Sequence, residues 1–307
     1  MIRSLLFAVC LALAFPIWGQ RLSYLAAETG ASRVTFSADH TAFGEVAGVL
    51  VRRHDLYFVY GYADRDTGYF LLDTGAPGLL LHTESLAHDR DVALAGTTGE
   101  VSARTATVAE LAVANLRQRG VSALRLDLSA LREAVGTDVV GVIGHAQLAE
   151  AATEINFRDR SIDFSASESG AAATTGTEYD FVLDGHLPTL PVSMGDAELR
   201  LAFDTGSEVN VLDHHILPQL REDLRGRPAE KHVSGVDARV ARVPYALVRL
   251  TLLGDDQYRD RAFAFLPWGG FRQNLPQLDG LLGADFWGAE RVTLDYPNRV
   301  IRTHSAE

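Results

Sequence analysis

Two aspartates in this sequence stand in matching surroundings and could carry acid–base chemistry together. Asp73 and Asp204 each end an apolar run and begin an Asp-Thr-Gly triplet, and a second apolar run follows each triplet. An ionised carboxylate at the end of an apolar strand is costly to bury unless it has a partner. The matching surroundings predict that each aspartate is the other's partner. Paired carboxylates that share one proton act as a general acid and a general base.

A third Asp-Thr-Gly triplet, at residues 66–68, shows that the triplet alone is weak evidence. It follows Asp64 and Arg65, and this polar setting is typical of a hairpin turn. The functional signal is therefore the triplet between two apolar runs, together with its recurrence.

The elements that must position the two aspartates recur in the same order. Short apolar or alternating runs, separated by polar turns, predict strands on both sides of each triplet. These runs lie at 48–51, 56–60, 69–72, 139–144 and 155–164, and again at 190–194, 199–203, 247–253, 262–266, 278–283 and 292–301. Hairpins that contain glycine are predicted at 96–99 and near 234–237. The recurrence predicts an internal duplication of a unit of ordinary domain size, about 120 residues.

The domain boundaries follow from composition. We assign residues 1–19 to a signal peptide, 20–164 to a first lobe, 165–178 to a linker rich in Ser, Ala, Gly and Thr, and 179–307 to a second lobe. A helical spacing of apolar residues predicts one short helix, formed around Leu124, Leu128, Leu131 and Val135 with Ser129 as its cap. The apolar fraction of 47% is ample for a packed core.

The N-terminus predicts export. Arg3 precedes an apolar run at 5–15, and Pro16 breaks that run, which is short for a membrane span. Cleavage near Gly19 or Gln20 would give a periplasmic or secreted protein; an uncleaved membrane anchor is the alternative. The single cysteine, Cys10, lies inside the run, so the cleaved chain would hold no disulfide.

The net charge restricts the partners. The chain carries a formal charge of -12, and a surface this acidic repels nucleic acid and anionic membranes. We therefore expect no nucleic-acid partner and no membrane insertion after signal cleavage.

The residues around the two aspartates resemble those of aspartic peptidases of the pepsin/retropepsin type, in particular the bacterial two-lobed retropepsin-like proteins. The resemblance covers the chain from about Gly48 to the C-terminus. Two apolar residues precede each Asp-Thr-Gly, Ala or Ser follows it, and an apolar-apolar-Gly strand comes later in each half, at 142–144 and 281–283.

This resemblance implies a mostly β, bilobal, pseudo-twofold acid-protease fold with a few short helices. It also implies an aspartic endopeptidase, active as a monomer on extended peptides with apolar side chains, that needs no cofactor and no metal. The implied residues are Asp73 and Asp204 as catalytic groups, Thr74, Gly75, Thr205, Gly206 and Ser207 as their support, and Thr97, Thr98, Gly99, Ser234 and Gly235 as flaps over the substrate.

Two departures from the family pattern concern the first lobe. Ala76 and Pro77 stand where the second loop has Ser207 and Glu208. Because a Ser207 hydroxyl could donate to Asp204 and Ala76 has none, we expect Asp204 to be the more acidic carboxyl and Asp73 to hold the shared proton. Pro77 lacks an N–H, so the hydrogen bonding of the first loop is expected to differ.

Other interpretations stay open at this point. The two aspartates could be structural turn-binding residues, the fold could serve as a catalytically inactive peptide-binding protein, or each lobe could form half of an intermolecular site. His214 and His215 are not predicted to bind a metal, because adjacent residues on a strand point to opposite faces and no third ligand is spaced nearby.

Overall fold

The computed structural model describes the backbone of residues 6–8, 23–24, 34–83, 92–95, 100–167, 176–235, 240–268 and 275–304. These residues form a mostly β structure with a few short helices, which confirms the mostly β part of the predicted fold class.

In the first half, the described residues form fourteen strands and two helices. In chain order they are β1 Leu6–Ala8, β2 Ser23–Tyr24, β3 Val34–Thr35, β4 His40–Phe43, β5 Gly48–Arg53, β6 Leu56–Ala63, β7 Asp66–Leu72, β8 Leu79–His82, β9 Val92–Ala95, β10 Glu100–Val113, β11 Leu116–Leu126, α1 Ser129–Val135, β12 Val139–Ile143, α2 His145–Leu148, β13 Ala151–Asn156 and β14 Ser161–Ala166.

The part of the second half that the structure describes forms eleven strands and two short 3-10 helices. The strands are β15 Gly176–Asp180, β16 Val182–Asp184, β17 Leu187–Met194, β18 Ala197–Asp204, β19 Asn210–Asp213, β20 Ala229–Gly235, β21 Val240–Leu253, β22 Asp256–Leu266, β23 Gly280–Gly283, β24 Arg291–Asp295 and β25 Val300–His304. The 3-10 helices are His214–Ile216 and Ala284–Trp287.

The same pattern of strand pairing occurs in both halves. The strand before the first triplet, β7, pairs in parallel with β12, and β12 pairs antiparallel with β8. In the second half β18 pairs in parallel with β23, and β23 pairs antiparallel with β19. The next strands match as well, because β8 pairs in parallel with β11 and β19 with β22. Each triplet therefore connects two strands that pair with opposite edges of the later Gly-containing strand: β7 and β8 with β12, and β18 and β19 with β23.

A shared run of strands joins the halves. Its order is β5-β14-β13-β24-β25-β15, and the central pairing is the antiparallel contact of β13 with β24. The outer strands match across this contact, since β14 and β5 lie on one side and β25 and β15 on the other. The largest apolar cluster likewise extends from Leu50 in the first half to Ile301 in the second. The halves thus share this cluster, and each half also has a smaller apolar cluster of its own.

The third triplet lies where the sequence placed it, in a hairpin. Asp66 begins β7 and pairs with Ala63 at the end of β6, and Asp64 adopts a positive φ of 54° in the turn between them. The carboxylate of Asp66 forms an ion pair with Arg125 at 3.0 Å, and the Asp66 side chain is 43% exposed.

The predicted helix is shorter than its apolar spacing suggested. Leu124 belongs to β11, where it pairs with Leu80, and α1 begins only at Ser129. The Ser129 hydroxyl is not the cap; instead the Asp127 carboxylate accepts a hydrogen bond from the Ser129 N–H at 2.8 Å. The prediction was wrong here because alternate apolar residues of a strand that runs into a helix can match a helical spacing.

Both ends of the predicted linker extend into strands. Residues 165–166 belong to β14 and residues 176–178 to β15, and residues 168–175 lie outside the described part of the chain. Near the N-terminus, β1 lies within the predicted signal segment and pairs in parallel with residues 233–235 of β20. Among the described residues, no helix has the length and apolar character needed to cross a membrane.

Candidate active site

The two aspartates occupy equivalent positions in the repeated strand pattern. Asp73 directly follows β7, and its N–H donates to the carbonyl of Ile143 at 3.0 Å. Asp204 ends β18 and pairs with Gly283 of β23. The apolar strands that lead to both residues lie in the core, so the side chains that follow are also fully buried, with 0% exposure for each aspartate.

Backbone N–H groups of each loop bind the aspartate that opens it. The N–H groups of Gly75 and Ala76 donate to Oδ1 of Asp73 at 2.9 and 3.0 Å. In the second loop the Gly206 N–H donates to Oδ1 of Asp204 at 2.9 Å. Such donors stabilise the ionised form of a carboxyl group. The first loop supplies them although Pro77 has no N–H.

The two carboxyl groups are in contact with each other. Burial is the largest cause that raises the pKa of Asp73 well above its ordinary value, followed by the charge of Asp204 and a hydrogen bond between the two side chains. The glycines allow this approach: a Cβ on Gly75 would lie 2.6 Å from Oδ1 of Asp204, and one on Gly206 would overlap the Asp73 carboxyl. A hydrogen bond between two carboxyl groups needs one proton, so the pair can hold a single shared proton.

The two threonines tie the loops together across the halves. The Thr74 hydroxyl donates to the Phe203 carbonyl at 2.8 Å and accepts the Thr205 N–H at 3.0 Å. The Thr205 hydroxyl donates to the Leu72 carbonyl at 2.8 Å and accepts the Thr74 N–H at 3.0 Å. All four bonds are buried, so they fix the separation of the two aspartates.

Replacing Thr205 with Val should therefore destabilise the protein. The change keeps the shape of the side chain but leaves the Leu72 carbonyl and the Thr74 N–H buried without this partner. We expect a loss of about 2–5 kcal/mol in the free energy of unfolding, measured by urea denaturation. Thr205→Ser keeps the hydroxyl and should cost about 1 kcal/mol. Equal losses in the two variants would contradict the role given to the hydroxyl.

The Gly-containing strands support the loops from below. After Gly144, the His145 N–H donates to the Ala76 carbonyl at 2.9 Å. After Gly283, the Ala284 N–H donates to the Ser207 carbonyl at 3.1 Å. A Cβ on Gly283 would lie 2.7 Å from that same Ser207 oxygen. Only glycine permits this approach of the two backbones.

The role expected of the Ser207 hydroxyl is wrong. Its Oγ donates to the Val209 carbonyl at 2.7 Å, and a hydroxyl has one proton to donate, so it does not donate to Asp204. The sequence comparison of Ser207 with Ala76 could not reveal this, because the backbone turn brings an acceptor two residues away within reach. The reason given for a more acidic Asp204 is thereby lost.

Ser207→Ala should leave the shape of a pH–rate profile unchanged. The variant loses one buried hydrogen bond within its own loop, which we expect to lower the free energy of unfolding by about 1 kcal/mol. Activity measured from pH 2 to pH 8 on both proteins tests this. A displaced acid limb in the variant would restore the original hypothesis.

The flap predictions are only partly covered by the described residues. Strands β9 and β10 pair antiparallel, and β20 and β21 do the same, so the strands on either side of both predicted turns are paired as a hairpin requires. Ser234 pairs with Val240, and Gly235 ends β20. Thr97, Thr98 and Gly99 lie outside the described residues. The flap role of these five residues stays a prediction.

The surroundings of His214 and His215 differ from the expectation. They lie in a 3-10 helix rather than a strand, and their rings are close, with centroids 3.9 Å apart. Asp213 is a third ligand candidate, fully buried, with Oδ1 at 3.1 Å from Nδ1 of His214. The carboxylate of Asp213 also accepts the His215 N–H at 3.2 Å, so it caps the helix. Both premises used against a metal were therefore wrong, although this capping role accounts for the cluster.

Two buried polar residues near the loops were missed from the sequence. Asn210 accepts the Gly283 N–H at 2.9 Å and donates to the Ala262 carbonyl at 3.0 Å. A polar residue within the apolar run 209–212 was a signal for it. His186 reaches the Gly75 carbonyl with Nε2 at 2.7 Å. No local pattern marks His186, because the contact joins residues 111 positions apart.

Comparisons with known proteins leave the family open. No family model matches the sequence, and no curated protein matches it. The function is therefore inferred from the geometry of the site.

Proposed function

We propose that this chain is an aspartic endopeptidase with the bilobal acid-protease fold. The observation that carries the proposal is the fully buried pair of Asp73 and Asp204, in which each carboxyl group lies against the glycine of the other loop. The matching strand pairings of the two halves support the pseudo-twofold arrangement. Two neighbouring carboxyl groups in a desolvated site cannot both be ionised, so one of them stays protonated.

The shared proton divides the chemistry between the two carboxyl groups. The ionised carboxylate takes a proton from a water molecule held between the pair, and the resulting hydroxide attacks the peptide carbonyl. The protonated carboxyl donates a hydrogen bond to the carbonyl oxygen, where negative charge develops. When the oxyanion collapses and the C–N bond breaks, the first carboxyl group passes the proton that it took from water to the leaving amine nitrogen, so the pair again holds one proton. No covalent intermediate is needed.

The loops serve this chemistry by holding both carboxyl groups in place before substrate arrives. The threonine bonds fix the loops to one another, and the N–H groups of Gly75 and Gly206 fix the carboxyl orientation. Positioning of this kind removes orientational freedom that a reaction in water would have to lose. Because one chain supplies both loops, a monomer suffices.

Substrate entry requires movement, since both carboxyl groups are fully buried. The hairpins β9–β10 and β20–β21 are the proposed flaps, which open to admit a peptide and close over it. An extended peptide can pair with exposed strand edges of such hairpins, with alternate side chains directed into the protein. We further propose that the signal segment exports the chain, so that its substrates are extracytoplasmic peptides.

Cleavage of a mixed peptide library tests the proposal. The full chain without residues 1–19 is incubated with the library from pH 2 to pH 8, and products are identified by mass spectrometry. An endopeptidase gives new internal termini with apolar residues beside the cut. Peptide binding without cleavage at any pH would overturn the proposal in favour of an inactive peptide-binding protein. Gel filtration of the same sample separates the monomer from an intermolecular site.

A further inference from the structure

A histidine from the second half contacts the first aspartate loop. His186 lies in the turn between β16 and β17 and is 1% exposed. Its Nε2 lies 2.7 Å from the Gly75 carbonyl oxygen. A carbonyl oxygen can only accept a hydrogen bond, so Nε2 of His186 must carry the proton. The contact therefore requires the tautomer, or the protonated state, in which Nε2 is a donor.

The acceptor belongs to the peptide group that binds the catalytic carboxyl. The Gly75 carbonyl and the Ala76 N–H are the two ends of one peptide unit, and that N–H donates to Oδ1 of Asp73 at 3.0 Å. A donor at the carbonyl end polarises the unit and strengthens the N–H as a donor at the other end. A chain of two hydrogen bonds thus runs from His186 to Asp73.

The orientation of this peptide unit needs an anchor. The Ala76 N–H also lies 3.2 Å from the main-chain oxygen of Asp73, so a small rotation moves it between that oxygen and the carboxylate. In the second loop the matching N–H, that of Ser207, donates to the main-chain oxygen of Asp204 at 3.2 Å. Pro77, the next residue in the first loop, has no N–H that could replace the Ala76 N–H as a donor to the Asp73 carboxylate.

We propose that His186 is a positioning residue that holds the Gly75–Ala76 peptide group so that its N–H stays directed at the carboxylate of Asp73. The inference rests on the proposed peptidase function for its kinetic consequences, but the hydrogen-bond chain also affects the folded protein without substrate.

The groups around this chain define what can titrate with it. Asp73 faces Asp204, and the His186 ring lies 6.4 Å from that of His145, which packs edge-on against Tyr296 at 4.7 Å. Burial and the neighbouring His186 lower the pKa of His145 to about 3, so His145 is neutral over most of the assay range. Titration of His145 therefore does not account for a shift seen between pH 4 and pH 8.

Substitutions at His186 distinguish the loss of the hydrogen-bond donor from the loss of the ring. His186→Phe keeps a buried ring and removes the donor, and His186→Leu does so with a smaller side chain should the phenylalanine variant fail to fold. His186→Gln keeps an N–H donor at a similar reach. His145→Phe is the matched control, a buried histidine of the same cluster whose side chain does not bind the loop.

The measured quantities are the pH–rate profile of peptide cleavage and the pH dependence of unfolding. With the donor removed, the ionised form of Asp73 loses support. Because Asp73 is the member with the raised pKa, we expect the alkaline limb of kcat/KM to move to higher pH by about half a unit, and kcat to fall about tenfold with KM little changed. The unfolding titration should move in the same direction. His186→Gln should restore both, and His145→Phe should leave the pH–rate profile unchanged.

The outcomes distinguish this inference from the proposed function. Coincident pH profiles for wild type, His186→Phe and His186→Leu, with only the unfolding free energy lowered, would overturn the positioning role and leave His186 a packing residue. Absence of cleavage by the wild type at every pH would overturn the peptidase function. The shift in the unfolding titration, and its reversal by glutamine, would then still decide the role of His186.

Discussion

Asp73→Asn and Asp204→Asn should each abolish peptide cleavage while leaving the protein folded. Either change removes one member of a pair that must supply a base and an acid at the same time. General acid–base groups contribute about 10²- to 10⁴-fold each, and residues that act as a unit are strongly non-additive. We expect kcat/KM to fall by about 10³-fold or more in each variant, with the double variant no worse than the singles.

The third triplet supplies the matched control. Asp66 belongs to the same Asp-Thr-Gly sequence but is partly exposed and paired with Arg125. Asp66→Asn should keep wild-type cleavage and lose less than about 1 kcal/mol of stability, as expected for a surface ion pair. Substantial cleavage by either Asp73→Asn or Asp204→Asn, with circular dichroism as in the wild type, would refute the assigned chemistry.

Gly206→Ala should have the second-largest effect. The new methyl group would overlap the carboxyl of Asp73, which the N–H groups of Gly75 and Ala76 hold in place. The new methyl group is fixed by the backbone that carries it, and the Asp73 carboxyl is fixed by its hydrogen bonds to backbone N–H groups. Relief of the overlap therefore requires movement of a loop. Misplacement of a reacting group by about 1 Å can cost on the order of 10²-fold in rate, and overpacking costs about 1–3 kcal/mol of stability. We expect both losses together.

Gly44→Ala is the control for this substitution. A Cβ at Gly44 would meet its nearest neighbour, Cβ of Asn115, at 3.6 Å, an ordinary contact. Its activity and unfolding free energy should match the wild type. If Gly206→Ala proved as active as Gly44→Ala, the carboxyl group of Asp73 could not lie against Gly206.

The main features of the site could be predicted from the sequence because they are local and repeated. Asp73 and Asp204 stood out through the apolar runs beside them, and the recurrence of those runs predicted the repeated strand order. The partner of the Ser207 hydroxyl could not be predicted, since it depends on the turn that brings the Val209 carbonyl close. His186 had no signal at all, because its contact depends on how the halves pack. Leu124 shows a further limit, as its spacing fits a helix although it lies in a strand.

The pH dependence of stability follows from the buried pair. Since the folded state raises the pKa of Asp73, it keeps a proton that the unfolded chain has already released. The contribution of Asp73 to folding then becomes less favourable as the pH rises from about 4 through the raised pKa. Asp285 adds a change of the same sign, because burial and the nearby charge of Asp55 raise its pKa to about 7. Asp285→Asn therefore serves as the background for measuring the pair.

A double-mutant cycle at pH 7 on Asp73→Asn and Asp204→Asn, measured as free energy of unfolding, tests the central claim most directly. Each single variant should be more stable than the parent, because each removes the free-energy cost of burying two adjacent acidic groups at pH 7. The double variant should then gain less than the sum by more than about 1 kcal/mol. Effects that add within about 0.5 kcal/mol would mean that the two carboxyl groups do not interact and share no proton.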